Sequence, residues 1–346
     1  TAIDACFKCT YYLIYNYTIQ PTFCSYNVFG ERIVCCRDVT LNPNIIYNYR
    51  PVPASGSVVK KIRYSALLPN PESFSVSTAN CEYTGLELIV GGENATLGEF
   101  PHMAAIGWAD FNGGYKFKCG GSLISPRYVL TAAHCSQDQY AQSAEPVIVR
   151  LGDQNIDDRV ADGANPVDVA IRRFIQHPAY SSPKVYDDIA LIELVADVNF
   201  GSSIRPACLW NRPDFGNHRQ AATLVVVQTL YSTGARETAK ELQKVSLPLQ
   251  DIRFCNEALK SLISRNWRYG FVDSQICAAD LQGGKDTCQG DSGAPIQVVS
   301  KDNSCIFHIV GITSFGKNCG DADLPGVYTR VSSYLHWIEG IVWSGQ

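Results

Sequence analysis

The chain has 346 residues, 46% of them hydrophobic, a formal charge of −4, and 14 cysteines against a single methionine. This length and apolar content fill at least one sizeable core and leave room for a second, smaller unit. The mild charge and the lack of a basic run exclude a surface that follows a phosphate backbone, and no apolar stretch approaches the ~20 residues of a membrane-spanning helix, so neither nucleic acid nor a membrane span is expected.

So many cysteines would be open to mispairing in a reducing cytosol, which points to a secreted, extracellular protein. The first twenty residues lack the basic start and apolar middle of a signal peptide, so the sequence reads as a mature, trimmed form. Cys6, Cys9, Cys24, Cys35 and Cys36 crowd a segment too small for its own apolar core, and residues 1–40 are expected to form a disulfide-stapled mini-domain. Residues 41–88 read as a linker, punctuated by Pro43, Pro51, Pro53, Pro69 and Pro71 among Asn and Ser. The sequons at Asn16 and Asn94 suit a secretory route and are candidate glycosylation sites.

Residues 89–346 alternate short apolar runs, such as Pro146 to Arg150 and Leu224 to Val227, with clusters of Gly, Asn, Asp and Pro. Many short strands with frequent turns predict an all-β domain, sandwich or barrel. At the end, Tyr334, Leu335, Trp337, Ile338, Ile341 and Val342 share one face at helical spacing and predict a helix packed on the outside. No internal repeat indicates a solenoid.

Three segments carry candidate chemistry. In Gly290-Asp291-Ser292-Gly293 the flanking glycines let the backbone approach a ligand, so that the Ser292 hydroxyl and nearby N–H groups can meet one carbonyl; a simple turn could also carry these residues. Thr131-Ala132-Ala133-His134-Cys135 supplies an imidazole suited to accepting and returning a proton, although a lone histidine is more often structural. Asp187-Asp188-Ile189-Ala190-Leu191-Ile192 sets Asp188 at the mouth of an apolar strand, where a carboxylate could be buried against the histidine and fix its tautomer.

Together with Ile89-Val90-Gly91-Gly92, Cys119-Gly120-Gly121-Ser122-Leu123-Ile124 and Pro325-Gly326-Val327-Tyr328-Thr329-Arg330-Val331, these segments closely resemble the trypsin and chymotrypsin family of serine endopeptidases over essentially the whole chain after residue 88. The resemblance implies two six-stranded antiparallel β-barrels with the catalytic groups between them. It further implies Ser292 as nucleophile, His134 as base and then acid, Asp188 as the orienting carboxylate, and the N–H groups of Gly290 and Ser292 as oxyanion hole. Asp286 matches the carboxylate at the base of a primary specificity pocket walled by Gly316 and Gly326, which implies cleavage after Arg or Lys. Ser314 to Gly316 matches the segment that pairs with the substrate as an added strand.

By the same resemblance Ile89 becomes a new amino terminus on cleavage after Leu88 and pairs with Asp291. An enzyme that cuts after Arg or Lys would not process Leu88 well, so an upstream activating protease accepting Leu is implied. The expected disulfides are Cys119 to Cys135, Cys255 to Cys277, Cys288 to Cys319, and Cys81 to Cys208 across the linker. The leading module resembles the clip domain of arthropod cascade proteases. A clip domain has six cysteines where five stand here, so either the first lies upstream of Thr1 or Cys305 has a partner that the sequence does not identify. Downstream zymogens and a serpin-type inhibitor are the implied partners, in melanisation, Toll-type signalling or development. No cofactor is required. Asp153, Asn155, Asp157, Asp158 and Asp162 could hold a structural calcium ion, but a solvated acidic loop is the preferred expectation. A protease-like adaptor that has lost catalysis is the alternative class.

Overall fold

The computed structural model describes two N-terminal strands, Thr22–Tyr26 (β1) and Arg32–Cys35 (β2), and then residues 93–212, 222–232, 235–279, 292–300, 306–316 and 325–343. β1 and β2 pair antiparallel, with Phe23 opposite Val34. The rest of the expected mini-domain and the linker 41–88 lie outside the described residues.

Six strands close into a barrel in the first half of the protease-like region: Met103–Ala109 (β4), Tyr115–Leu123 (β5), Tyr128–Thr131 (β6), Ile148–Leu151 (β7), Val167–Gln176 (β8) and Ala190–Leu194 (β9). Their order is β4-β5-β6-β9-β8-β7, antiparallel throughout. β9 is buried along its whole length, because a small closed barrel buries the inward face and neighbouring elements cover the outer one. Its one charge, Glu193, is met by Arg172 and Arg173 of β8. Close strand approach requires glycine at residue 121, where a Cβ would lie 2.7 Å from Val129 Cγ1 and 3.1 Å from the Leu130 carbonyl.

The second half holds Glu93–Asn94 (β3), Cys208–Leu209 (β10), Ala222–Ser232 (β11), Ala235–Val245 (β12), Gln275–Ala278 (β13), Pro295–Val299 (β14), Phe307–Phe315 (β15) and Gly326–Arg330 (β16). These eight form one sheet, ordered β13-β16-β15-β14-β11-β12-β3 with β10 added parallel to β15. Two short strands thus join the six that the resemblance implies, since β3 and β10 each satisfy exposed backbone groups of a longer neighbour. Past β12 the chain returns to β13: Gln250 N–H donates to the Cys277 carbonyl at 3.0 Å and Ala279 N–H to the Pro248 carbonyl at 3.1 Å.

The expected helix is present as Leu335–Val342 (α2), with Leu335, Ile338 and Val342 buried. A second helix, Ile252–Ala258 (α1), is not legible from periodicity because seven residues make just under two turns, too short a window for the pattern; Asp251 caps it by accepting the Arg253 N–H at 2.8 Å. One continuous apolar core runs through both halves and beneath α2, while a smaller cluster around Trp267 packs beside α1. Among the described residues no helix is long and apolar enough to cross a membrane.

Candidate active site

His134 sits in a short 3-10 turn, Ala133–Ser136, immediately after β6. The next residue, Cys135, is bonded to Cys119 of β5, which pins the turn to the barrel wall. Gln176 donates to the Ala133 carbonyl at 3.0 Å and holds the turn from β8.

Asp188 stands just ahead of β9 and is only 3% exposed. Its Oδ1 accepts the His134 backbone N–H at 2.9 Å, and its Oδ2 accepts His134 Nδ1–H at 2.8 Å. That contact fixes the tautomer and leaves Nε2 as the nitrogen able to take a proton. The Ser314 hydroxyl also donates to Oδ2, and Thr329 donates to the Asp188 carbonyl at 2.8 Å. A buried carboxylate with this many donors is compensated rather than stranded. Burial raises the acid's pKa, but the imidazole's charge and the donated hydrogen bonds outweigh it, so Asp188 ionises below the usual carboxylate range. Burial likewise disfavours the His134 imidazolium, yet the charge and hydrogen bond of Asp188 prevail and hold its pKa above the ordinary histidine value.

Ser292 lies at the seam between the two halves. Its carbonyl accepts the Gly120 N–H from β5 at 2.8 Å, and the next residue, Gly293, donates its N–H to Thr313 of β15 at 2.9 Å. Gly293 has φ 78°, and a Cβ there would lie 2.6 Å from the Gly120 carbonyl, so only glycine permits this close turn against the first barrel. Gly316 and Gly326 lie close to one another: a Cβ on Gly316 would have the Gly326 Cα as its nearest neighbour, at 3.9 Å. Ser314 is thus brought to Asp188, and Gly316 and Gly326 to one another, while Gly290, Asp286, Asp291, Leu88 and Ile89 lie outside the described residues.

Two contacts are not legible in the sequence. The resemblance implies a role for the Ser314 backbone, whereas its hydroxyl also binds Asp188; nothing in the segment's sequence signals a partner 126 residues away. Asp187 adopts φ 54°, and its Oδ1 accepts the Tyr334 hydroxyl at 2.8 Å. Aspartate tolerates that left-handed conformation better than most residues, which is the one hint its identity gave.

Cys119–Cys135 and Cys255–Cys277 are formed as expected. Cys208 is buried on β10, and its expected partner Cys81, like Cys288, Cys305 and Cys319, lies outside the described residues. Asn94 is exposed on β3, where its side-chain amide donates to Glu241 and accepts from Gln243, and Asn16 is not described. In the acidic loop the Arg150 guanidinium reaches Asp168 at 2.7 Å, Asp158 at 2.5 Å and Asp153 at 3.4 Å, while Arg159 pairs with Asp157. Asn155 and Asp162 accept backbone N–H groups of their own loop.

The trypsin family model matches residues 89–338. The chain belongs to the trypsin family. It is 42% identical over 261 residues to serine protease snk of Drosophila melanogaster, covering 73% of this chain and 57% of that protein. It is 40% identical over 285 residues to serine protease Hayan of the same species, covering 79% and 43%. It is 33% identical over 270 residues to CLIP domain-containing serine protease B4 of Anopheles gambiae, covering 75% and 72%. The chain spans about half the length of the first two relatives. These similarities place it among the clip-domain serine proteases of insects.

Proposed function

We propose that this trypsin-family chain is a secreted endopeptidase zymogen that, once cut between Leu88 and Ile89, cleaves protein substrates after Arg or Lys in an extracellular proteolytic cascade. The observation that carries the reading is the buried Asp188 carboxylate, which holds both the backbone and Nδ1 of His134 beside the Ser292 turn. Ser292 attacks the substrate carbonyl as Nε2 of His134 takes its proton. The resulting imidazolium is stabilised by Asp188 and returns the proton to the leaving amine. The N–H groups of Gly290 and Ser292 receive the oxyanion; one such donor contributes about 100- to 1000-fold in rate.

Asp286 supplies the charge that selects Arg or Lys, at the base of the slot between Gly316 and Gly326, and the backbone of Ser314 to Gly316 binds an extended peptide. The strands of the second half act as the second barrel, closed where Pro248 to Gln250 meet β13. Arg150 already supplies a cation to the acidic loop, which supports the view that no calcium is needed there. The N-terminal residues 1–40 form the clip module, kept on the protease after activation by a Cys81 to Cys208 disulfide and free to dock a zymogen partner. A serpin-type inhibitor, and glycans at Asn16 and Asn94, complete the reading.

An active-site serine reagent tests it on the processed protein: wild type is labelled at Ser292, and Ser292→Ala is neither labelled nor active. Processed wild type that neither labels nor cleaves would instead be a protease-like adaptor. On a peptide library, Asp286→Ser loses the preference for Arg and Lys; an unchanged preference places the specificity determinant elsewhere.

A further inference from the structure

Two loops far apart in the chain gather positive charge that the reaction chemistry does not use. Lys184 lies in the loop after β8, and Arg265 and Arg268 lie in the stretch between α1 and β13; all three are exposed. Neither residues 177–186 nor residues 259–272 include an aspartate or a glutamate, in a chain whose net charge is −4. The acids that bound the two loops are engaged elsewhere: Asp187 accepts the Tyr334 hydroxyl, Asp251 and Glu257 pair with Arg253 and Lys260, and Asp273 acts on Arg330. Lys184, Arg265 and Arg268 make no ion pair among the described residues.

The folded backbone brings these cations together. Val185 N–H donates to the Asn266 carbonyl at 3.3 Å, so Lys184 and Arg265 each stand one residue from the bond that joins the loops. The Tyr186 hydroxyl accepts the Tyr269 N–H at 2.8 Å and donates to the Gly270 carbonyl at 3.2 Å, a second joint beside Arg268. Trp267 stands between the two arginines and is buried; its Nε1–H donates to Gln275 Oε1 at 3.3 Å, and Gln275 in turn donates to the Val185 carbonyl at 3.0 Å. Loops fastened at these points hold the backbone beneath the cations in place before a ligand arrives, which lowers the ordering cost of binding.

We propose that Lys184, Arg265 and Arg268 form a binding site for a linear sulfated polysaccharide. The planar fork of arginine matches the oxygens of an anionic group, and three unpaired cations on one face attract a chain that repeats its negative charge. An acidic segment of a protein suits the face less well. Protein partners draw most of their affinity from anchors buried in pockets, and the exposed ring of Tyr269 already has the Arg268 guanidinium 5.8 Å and the Tyr186 ring 6.1 Å from its centroid. A flexible polyanion needs only surface cations. Because those cations stand on two loops, no basic run in the sequence marks the site. The proposal goes beyond the peptidase reading and does not depend on it.

The test titrates the full, uncut chain into a fluorescein-labelled heparin oligosaccharide and reads anisotropy over a series of NaCl concentrations. Lys184→Gln, Arg265→Gln and Arg268→Gln combined are expected to weaken binding about tenfold or more at low salt. The slope of log affinity against log salt should shrink by about two, since each lost contact with a linear polyanion releases nearly one counterion fewer. Lys116→Gln, Arg127→Gln and Arg159→Gln remove three exposed cations that are already paired, and that variant should stay within about twofold of wild type. Arg265→Lys with Arg268→Lys keeps the charge and should keep the salt slope, which separates lost charge from lost fold. Loss of the slope in this last variant overturns the proposal, as do equal losses in the two triple variants, wild-type affinity in the first of them, or no binding by wild type. A labelled polyglutamate of matched charge that binds as tightly as the oligosaccharide assigns the face to an acidic polypeptide and overturns it too.

Discussion

The Tyr334 hydroxyl donates to Asp187 Oδ1 at 2.8 Å, and through it the start of the C-terminal helix holds the residue next to the buried carboxylate. Asp187 is in the left-handed region at φ 54°, its carbonyl accepts the Ile189 N–H at 2.9 Å, and the turn so formed aims Asp188 at His134. The Tyr334 ring packs edge-on against His177, whose backbone is bonded to Ile189. Tyr334→Phe keeps the ring and removes only the hydrogen bond, about 0.5 to 1.5 kcal/mol, so kcat is expected to fall about two- to tenfold with KM little changed. Asp187→Asn keeps an acceptor and tolerates the backbone conformation, so its kcat stays near wild type. A loss in Asp187→Asn with none in Tyr334→Phe would show that charge at residue 187, rather than its placement, matters.

Asp188→Asn should be far more severe than any change around it. The carboxylate accepts from the His134 backbone, from Nδ1–H and from the Ser314 hydroxyl, and an amide must turn an NH₂ group toward one of these donors. The wrong imidazole tautomer then dominates, and in enzymes of this family the corresponding change costs about 10⁴-fold in kcat. Ser314→Ala removes one donor of three and should cost about tenfold or less. Single-turnover rates of the two variants at pH 8 provide the comparison; a Ser314→Ala loss as large as that of Asp188→Asn would contradict this ranking.

His134 should set the acid limb of the proposed activity. Burial alone would lower the His134 pKa, but the charge and hydrogen bond of Asp188 leave it above the ordinary value of 6.5. A base must be neutral, so kcat/KM is expected to fall with a midpoint above pH 6.5 as pH drops. In Asp188→Asn burial goes unopposed and the midpoint moves down, readable in the residual activity. For stability the sign is reversed: a raised histidine pKa stabilises the fold below pH 6.5, and that contribution fades as pH rises through the folded value.

A different histidine, His102, should contribute to the loss of stability in acid. His102 is fully buried, donates from Nε2 to Gln297 Oε1 and packs against Phe100 and Phe307; burial, only partly opposed by that hydrogen bond, lowers its pKa from 6.5 to about 4. The unfolded chain takes up a proton near pH 6.5 and the folded chain does not, so stability contributed above pH 6.5 is lost as pH falls toward 4. A lowering of that size is on the order of 3 kcal/mol. Urea titrations from pH 7 to 4 should show this slope in wild type and its loss in His102→Gln, whose neutral side chain can still reach Gln297. The same slope in both would assign the acid sensitivity to carboxylates instead.

The elements that sequence revealed best are those whose signal is local. The apolar run after Asp188 became β9, and the helical stripe from Leu335 became α2, because periodicity and burial coincide there. The histidine and aspartate segments could be named from the residues around them, yet their meeting depends on β6 and β9 lying side by side, which no short segment encodes. Ser314 on Asp188 and Tyr334 on Asp187 span 126 and 147 residues, so they arise only once both halves are packed. The added strands β3 and β10, of two residues each, are too short for alternation to register.

Activation supplies the last prediction. From residue 93 onward the chain is fastened to the second sheet: Glu93 and Asn94 pair with Lys244 and Gln243, and the Ala95 N–H donates to Leu242 at 2.8 Å. A buried ion pair of Glu99 with Lys244 at 2.8 Å follows. Removing one partner of such a pair is strongly destabilising, so this anchor should hold whether or not the chain is cut. Ile89 lies four residues before Glu93, so an amino group freed by cleavage there stays within about 13 Å of this anchor. That amino group, with a pKa near 8, carries a positive charge at neutral pH and is the expected partner of Asp291, beside the nucleophile. On the proposed reading, in which Asp286 selects Arg or Lys while Leu88 precedes the cut, the zymogen should be inert toward itself and respond to a protease that accepts Leu. Leu88→Arg should therefore make it sensitive to trypsin and to its own active form, with a lag that shortens as protein concentration rises. Amino-terminal sequencing of the product, with Ser292→Ala as the silent control, reads the outcome. Rapid self-processing of the unmodified zymogen at Leu88, dependent on Ser292, would overturn both the Arg or Lys preference and the need for a separate activator.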